Sequence, residues 1–368
     1  MIVLSRPSPN IKVLLSNGRP FDKPKNSFYF DLGRQALLFA ILSLGVKKGD
    51  LIAVPAYICN STIQPLKDYG IFIHFLDVEN DLSISTGNVK NAINSHNIKA
   101  VLLVHFFGFY QDVGKILNIC SAQGVKVIED ASHGFLLDFF SNGDSIKGDA
   151  IIYSIRKTLP VKDGGVVRFD SKLEKKTIVE CIKCSSYIDD IKYLTIRCVE
   201  ILATKMGVNI YKTSFTKVKN FARRSSQMSK YFLNITPCAP SYQLGKYLAN
   251  DQYLRSVKTH IRSNYINLDI QLKALGFKLL FDHLEGNIPQ CIVIFDEKGG
   301  LHNYLRDCGV GAWRWPFEEI PEEVLKNATR YPKTILFDKR LVMLPVHQSL
   351  DKSRIDYIIK ILSKWNGL

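Results

Sequence analysis

Residues 150–169 read AIIYSIRKTLPVKDGGVVRF, and the order of residue types in that stretch decides the fold. Two apolar runs, Ala150–Ser154 (AIIYS) and Gly165–Phe169 (GVVRF), flank a polar segment. That segment carries Arg156, Lys157, Lys162, Asp163 and a Gly164-Gly165 pair. Short continuous Val/Ile runs bounded by turn residues predict strands buried on both faces. Working outward, similar runs recur at Leu51–Pro55 (LIAVP), 71–77 (IFIHFLD), 100–106 (AVLLVHF) and 125–130 (VKVIED). Stretches with helical spacing, such as 62–69 and 113–123, separate them. This alternation predicts an α/β fold with a large, mainly parallel sheet. In such sheets ligands bind beyond the carboxyl ends of the strands.

The rest of the chain reads differently. Residues 171–232 predict two or three helices, and Pro237 and Pro240 then punctuate the chain. A long helix is predicted from about Tyr242 to Gly276. A smaller mixed segment follows, with strands at 290–295 and Leu341–Pro345, a helix at 299–308 and an amphipathic closing helix at 351–365. The expected division is a large domain over 1–245 and a small C-terminal α/β domain over 246–368.

Composition narrows the function classes. Hydrophobic residues make up 46% and charged residues 23%, which excludes a disordered chain. No run approaches the ~20 apolar residues of a membrane span. The start, MIVLSRPSPNIKV, lacks the basic flank and apolar core of a signal peptide, so a cytoplasmic location is expected. Eight scattered cysteines are too few for a disulfide scaffold, and the pair Cys181-x-x-Cys184 lacks the further ligands of a zinc site. The net charge is +15, which raises nucleic acid, an anionic membrane surface or an anionic substrate as partners. The densest cluster, 217–230 (KVKNFARRSSQMSK), reads as a solvated helix face. A basic nucleic-acid-binding protein is the alternative from another class, although no recognised binding motif accompanies it.

Three features at strand ends carry chemistry. Gly33-Arg34-Gln35-Ala36-Leu37 opens an apolar helix, and such a start offers backbone N–H groups and a positive dipole end to a phosphate. Glu129-Asp130-Ala131-Ser132-His133 follows a buried strand. A carboxylate there needs a partner, such as a protonated ring nitrogen, unless Asp130 caps the next helix. No second carboxylate or His follows at metal-ligand spacing. In the segment after Ser154, a buried Lys157 can be the neutral amine of Schiff-base chemistry, and Gly164-Gly165 lets the chain pass close to a ligand. His105 reads as a satisfied core histidine. Trp313 and Trp315 either pack the small domain or, with Arg314, line a substrate mouth.

Together these features resemble the DegT/DnrJ/StrS group of pyridoxal-phosphate-dependent nucleotide-sugar aminotransferases, of the aspartate-aminotransferase fold type. In that family the lysine precedes a Gly-Gly pair by seven residues, as Lys157 precedes Gly164 here, and Asp163 matches the acid before the pair. The likeness runs from about Tyr29 onward and is weakest over 171–232. It implies a fold-type-I transferase with pyridoxal 5'-phosphate as cofactor. Lys157 would be the Schiff-base lysine and proton shuttle, and Asp130 the partner of the pyridine nitrogen. His133 would lie at the phenolic oxygen, with Ser154, Gly33 and the backbone of Arg34 and Gln35 at the phosphate. Arg34 stands where relatives carry Ser or Thr, so its guanidinium or its N–H would do the binding. Cys59 stands where relatives often carry the ring-stacking aromatic, leaving Tyr57 or Cys59 to face the ring. Lys162 is a rival amine, but the family has no lysine there. The resemblance further implies a homodimer that moves an amino group from L-glutamate to a nucleotide-linked keto-sugar, for surface polysaccharide or O-antigen synthesis. The retained lysine disfavours the family's dehydratase branch. The departures at Arg34 and Cys59 leave a non-nucleotide substrate as the alternative.

Overall fold

The computed structural model describes residues 1–16, 26–134, 147–170, 183–184, 187–212, 235–282, 284, 286–316 and 319–366. The basic stretch 217–230 and Cys181 lie outside them.

Among the described residues, nine strands form one sheet: β1 Ser27–Phe30, β2 Leu51–Pro55, β3 Phe72–Leu76, β4 Ile98–Val104, β5 Lys126–Asp130, β6 Ala150–Ser154, β7 Gly165–Phe169, β8 Lys183–Cys184 and β9 Cys238–Ala239. Their order is β3-β2-β4-β5-β6-β7-β1-β9-β8. The run from β3 to β6 is parallel. β7 pairs antiparallel with both β6 and β1. The expectation of a mainly parallel sheet is therefore met, since β8 and β9 also pair parallel, with antiparallel pairing confined to β6-β7-β1-β9. The link over 155–164 is the cause. It holds only a single 3-10 turn, Ile155–Lys157, and a parallel crossover needs roughly a dozen or more residues.

Helices fill the connections and the remainder. They are α1 Ile11–Leu14, α2 Gly33–Ser43, α3 Asn60–Tyr69, α4 Thr86–Ser95, α5 Gly114–Ala122, α6 Tyr187–Lys205, α7 Tyr242–Leu248, α8 Asp251–Ala274, α9 Leu301–Asp307, α10 Glu322–Lys326, α11 Pro332–Arg340 and α12 Lys352–Leu362. The single long helix expected near residues 242–276 is two. Asn250 accepts the N–H of Tyr253 at 2.9 Å and so caps a fresh start at Asp251. A second sheet pairs β10 Cys291–Phe295 antiparallel with β11 Leu341–Pro345. One apolar core runs from the buried face of α2 (Leu37, Leu38, Ile41) through α8 (Leu254, Leu268) to β10 and β11 (Ile292, Leu344). Among the described residues no helix is long and apolar enough to cross a membrane.

The N-terminal segment is tied to this core by His347, whose Nε2 donates to the Leu4 carbonyl at 2.9 Å. Burial pushes the pKa of His347 down to about 4, and burial together with the nearby Arg306 does the same to His302. Both folded-state values lie below the unfolded value of ~6.5, so the unfolded chain binds protons first as the pH falls. The contribution of these two histidines is thus complete above about pH 6.5 and is lost between there and about pH 4. Denaturant midpoints measured at pH 7.5 and 4.5 should differ accordingly, and His347→Gln should shrink the difference.

Candidate active site

The carboxyl ends of β4, β5 and β6 converge on one crevice. β5 delivers Glu129 and Asp130 in succession, and strand alternation sends them to opposite faces of the sheet. On one face Glu129 accepts the N–H groups of Lys147 (2.8 Å) and Gly148 (2.7 Å) and lies 2.9 Å from His105 Nε2. Burial alone would raise the Glu129 pKa, but these hydrogen bonds hold it below the usual carboxylate range. His105 Nδ1 accepts the N–H of Gln111 at 3.2 Å, so this ring is a satisfied core histidine. On the other face Asp130 accepts the N–H of Ser132 at 2.9 Å.

Lys157 enters the same crevice from the 3-10 turn after β6. Its Nζ is buried and lies 2.8 Å from His133 Nε2. Burial lowers the Lys157 pKa and Arg156 adds to this, while Asp130, Cys59 and Glu319 act in the opposite sense. The rival Lys162 instead approaches Asp190 on α6 at 3.7 Å. Asp163 accepts from the Ser241 hydroxyl (2.7 Å) and backbone N–H (3.1 Å), anchoring the loop to the start of α7.

The start of α2 closes the other end of the crevice. A Cβ on Gly33 would stand 3.4 Å from Ser154 Cβ and 3.6 Å from Ser132 Oγ, so two serines crowd round this helix N-terminus. First-turn N–H groups of a helix lack intrahelical acceptors and favour an anion. Gln35 plays another part than expected. Its side chain accepts the Leu32 N–H at 2.9 Å and its own N–H donates to the Leu32 carbonyl at 3.0 Å. It therefore builds the helix start, and its N–H is committed there. Arg34 is the second residue of this turn and half-buried. The cradle of Gly33, Ser132 and Ser154, with an amine and a carboxylate deeper in, fits a small phosphorylated aldehyde.

Gly165 makes the close approach possible. A Cβ there would lie 2.3 Å from the carbonyl carbon and oxygen of Leu32 and 2.6 Å from the Gly33 nitrogen, all rigid backbone. Gly165→Ala is expected to displace the start of α2. Overpacking of this kind costs about 1–3 kcal/mol. Phosphate-ester affinity should fall with it, as measured by denaturant melts and by titration with pyridoxal phosphate.

Tyr57 does not face the crevice. It has no exposed surface, its hydroxyl donates to the Trp315 carbonyl, and its ring meets Trp315 and Phe337 edge-on. The expectation that its ring stacks on a ligand is thereby corrected, because the C-terminal segment already covers it. Cys59 sits just before α3, half-buried and near enough to Lys157 to influence its protonation. Trp315 lies edge-on to His133 at 5.6 Å and so belongs to the site wall as well as to the core.

Other residues at the site carried no assigned role in the sequence reading. Ser132 was within the quoted acidic segment, so its residue type at a strand end was the available signal. Glu319 reaches in from the C-terminal part, accepting the Ser61 hydroxyl at 2.8 Å and the Asn60 N–H on its carbonyl. Gln290 donates from Nε2 to the Lys157 carbonyl at 3.3 Å. No local pattern marks either, since each meets its partner across more than a hundred residues of chain.

Comparison with known proteins places this geometry in context. Residues 25–209 match the model of the DegT/DnrJ/EryC1/StrS aminotransferase family, about half of the chain. The GDP-perosamine synthase of Vibrio cholerae is 28% identical over 158 residues, 42% of each chain, so the match spans about two fifths of that relative's length. The dTDP-4-amino-4,6-dideoxy-D-glucose transaminase of Shigella dysenteriae is 24% identical over 346 residues, 90% of this chain and 84% of that one. In architecture the chain is similar to the Streptococcus pneumoniae protein Spr1654 in its PMP form. The TM-score is 0.67 at 14% identity, over 99% of this chain and 97% of that one, a likeness of fold.

Proposed function

The chain belongs to the DegT/DnrJ/EryC1/StrS aminotransferase family, and on that premise we propose that it is a pyridoxal-phosphate-dependent aminotransferase acting on a nucleotide-linked keto-sugar. The observation that carries the reading is the buried Lys157 amine, 2.8 Å from His133 and beside Asp130, at the carboxyl ends of a parallel sheet. Gly33, Arg34, Ser132 and Ser154 would hold the phosphate, and Asp130 would keep a proton on the ring nitrogen. Bound there, the cofactor supplies an aldehyde that condenses with amines and a ring that withdraws electrons from the adjoining carbon.

The chain's own groups do the rest. Burial keeps the Lys157 amine available as a nucleophile, and the same nitrogen, once displaced by an incoming amine, is placed to carry a proton to and from the carbon bearing the amino group. Asp130, buried at the carboxyl end of β5, would set a carboxylate against the ring nitrogen where little solvent screens it.

L-glutamate is the amino donor in this reading, and the catalytic unit is a homodimer dividing near residue 245 into cofactor-binding and smaller parts. The named activities of the two curated relatives support the nucleotide-sugar class, and hence a role in surface polysaccharide assembly. The test is amino transfer from glutamate to a panel of nucleoside-diphosphate keto-sugars and free ketones. Turnover of the nucleotide-linked compounds alone supports the reading. Turnover of free ketones alone moves the enzyme to a non-nucleotide substrate.

A further inference from the structure

A nucleophilic amine must carry a lone pair when it meets a carbonyl. Two contacts of His133 bear on the state of Lys157. His133 Nδ1 accepts the backbone N–H of Phe107 at 3.0 Å. A ring nitrogen that accepts holds no proton, so the neutral imidazole carries its proton on Nε2. Nε2 is the atom 2.8 Å from Lys157 Nζ. An N–H directed at that nitrogen forms a hydrogen bond only if the amine offers a lone pair, and an ammonium offers none.

We propose that Phe107 is a positioning residue whose backbone N–H fixes His133 as the Nε2–H tautomer, and that this donor holds Lys157 as a free amine before any cofactor is bound. The inference rests on the aminotransferase reading for its purpose, but not for its geometry.

Phe107 is built for the task at a cost. Its φ of 56° and ψ of 20° place a bulky residue in the strained left-handed region. Its surroundings enforce that shape. The Gln290 N–H donates to the Phe107 carbonyl at 2.8 Å, and the Phe107 ring lies parallel to the His133 ring, 5.4 Å away at 2°. Gly108 follows with a φ of 88°, and a Cβ on it would stand 2.4 Å from the Ile288 carbonyl. The 288–290 segment therefore clamps the turn. Gln290 also reaches the Lys157 carbonyl, so one residue braces both ends of the Phe107–His133–Lys157 chain. The other groups facing Lys157 are Asp130, Cys59, Glu319 and Arg156. Asp130 and Glu319 favour an ammonium, and the His133 N–H opposes them. Burial keeps the His133 ring itself neutral.

The test uses the full chain stripped of cofactor. Nitrogen NMR of 15N-histidine-labelled protein, with His133 assigned by its loss in His133→Gln, should show a protonated Nε2 and a bare Nδ1 at neutral pH. A protonated Nδ1 overturns the proposal. In a second arm, the rate at which pyridoxal phosphate condenses with the stripped protein is followed against pH. Gln retains an N–H donor, so at pH 7 His133→Gln should lose less than His133→Leu. His133→Leu should lose tenfold or more, because a rise of one unit in the amine's pKa cuts its neutral fraction about tenfold. The loss should disappear as the pH is raised. A leucine variant as fast as the parent at pH 7, or slow by the same factor at every pH, overturns the proposal. If the parent itself never condenses, the aminotransferase reading fails, while the NMR result still decides the state of His133.

Discussion

Lys157→Ala is expected to lower amino transfer by more than about 10⁴-fold, because nucleophile and proton carrier vanish together and proton transfer by a placed side chain alone is worth 10²–10⁴. No other described group can substitute. His133 lacks an amine, and Lys162 is held toward Asp190 at 3.7 Å. The variant should keep its fold, because the substitution removes a buried amine with no ion pair at Nζ rather than a piece of apolar core. Single-turnover transfer from glutamate, beside a denaturant melt of the same sample, separates loss of chemistry from loss of structure. A variant with more than about a hundredth of the parent rate would remove Lys157 from the reaction, since such activity is too high for an enzyme without its proton carrier.

Asp130→Asn should cost about 10²–10³-fold in the same assay, the range seen when one fixed electrostatic contact to the reacting group is removed. Asparagine keeps an oxygen to accept the Ser132 N–H that Asp130 now accepts at 2.9 Å, so the local turn should survive. What it lacks is the carboxylate that, in the proposed function, would hold a proton on the ring nitrogen. The predicted loss therefore lies in turnover, with cofactor affinity weakened less. A loss confined to cofactor affinity would assign Asp130 to binding alone.

Parts of the molecule are readable from residue order. The runs at 51–55, 150–154, 165–169 and 341–345 coincide with β2, β6, β7 and β11, because strands buried on both faces have no polar alternation to blur them. β1 escaped. It is four residues long and exists through antiparallel pairing with β7, more than a hundred residues away. The site residues brought together here, Lys157, His133, Asp130, Ser154 and Gly33, lie at strand ends or a helix start, where residue type alone is informative. Tyr57 was misleading for the opposite reason. Its exposure is set by Trp315 and Phe337, contributed by chain far downstream. The left-handed turn at Phe107 carries no sequence signal, since a phenylalanine there is disfavoured by its own sterics and kept by the 288–290 segment. The surplus of positive charge likewise says little about the site, whose inward-facing groups include two carboxylates, Asp130 and Glu319.

The claim on which the rest depends is that Lys157 is the residue that joins the cofactor. Protein reconstituted with pyridoxal phosphate, reduced with borohydride, digested and mapped by mass spectrometry tests it directly. The account predicts one stoichiometric pyridoxyl adduct on the peptide bearing Lys157. An adduct on Lys162 instead, or no adduct after reconstitution and reduction, would contradict it.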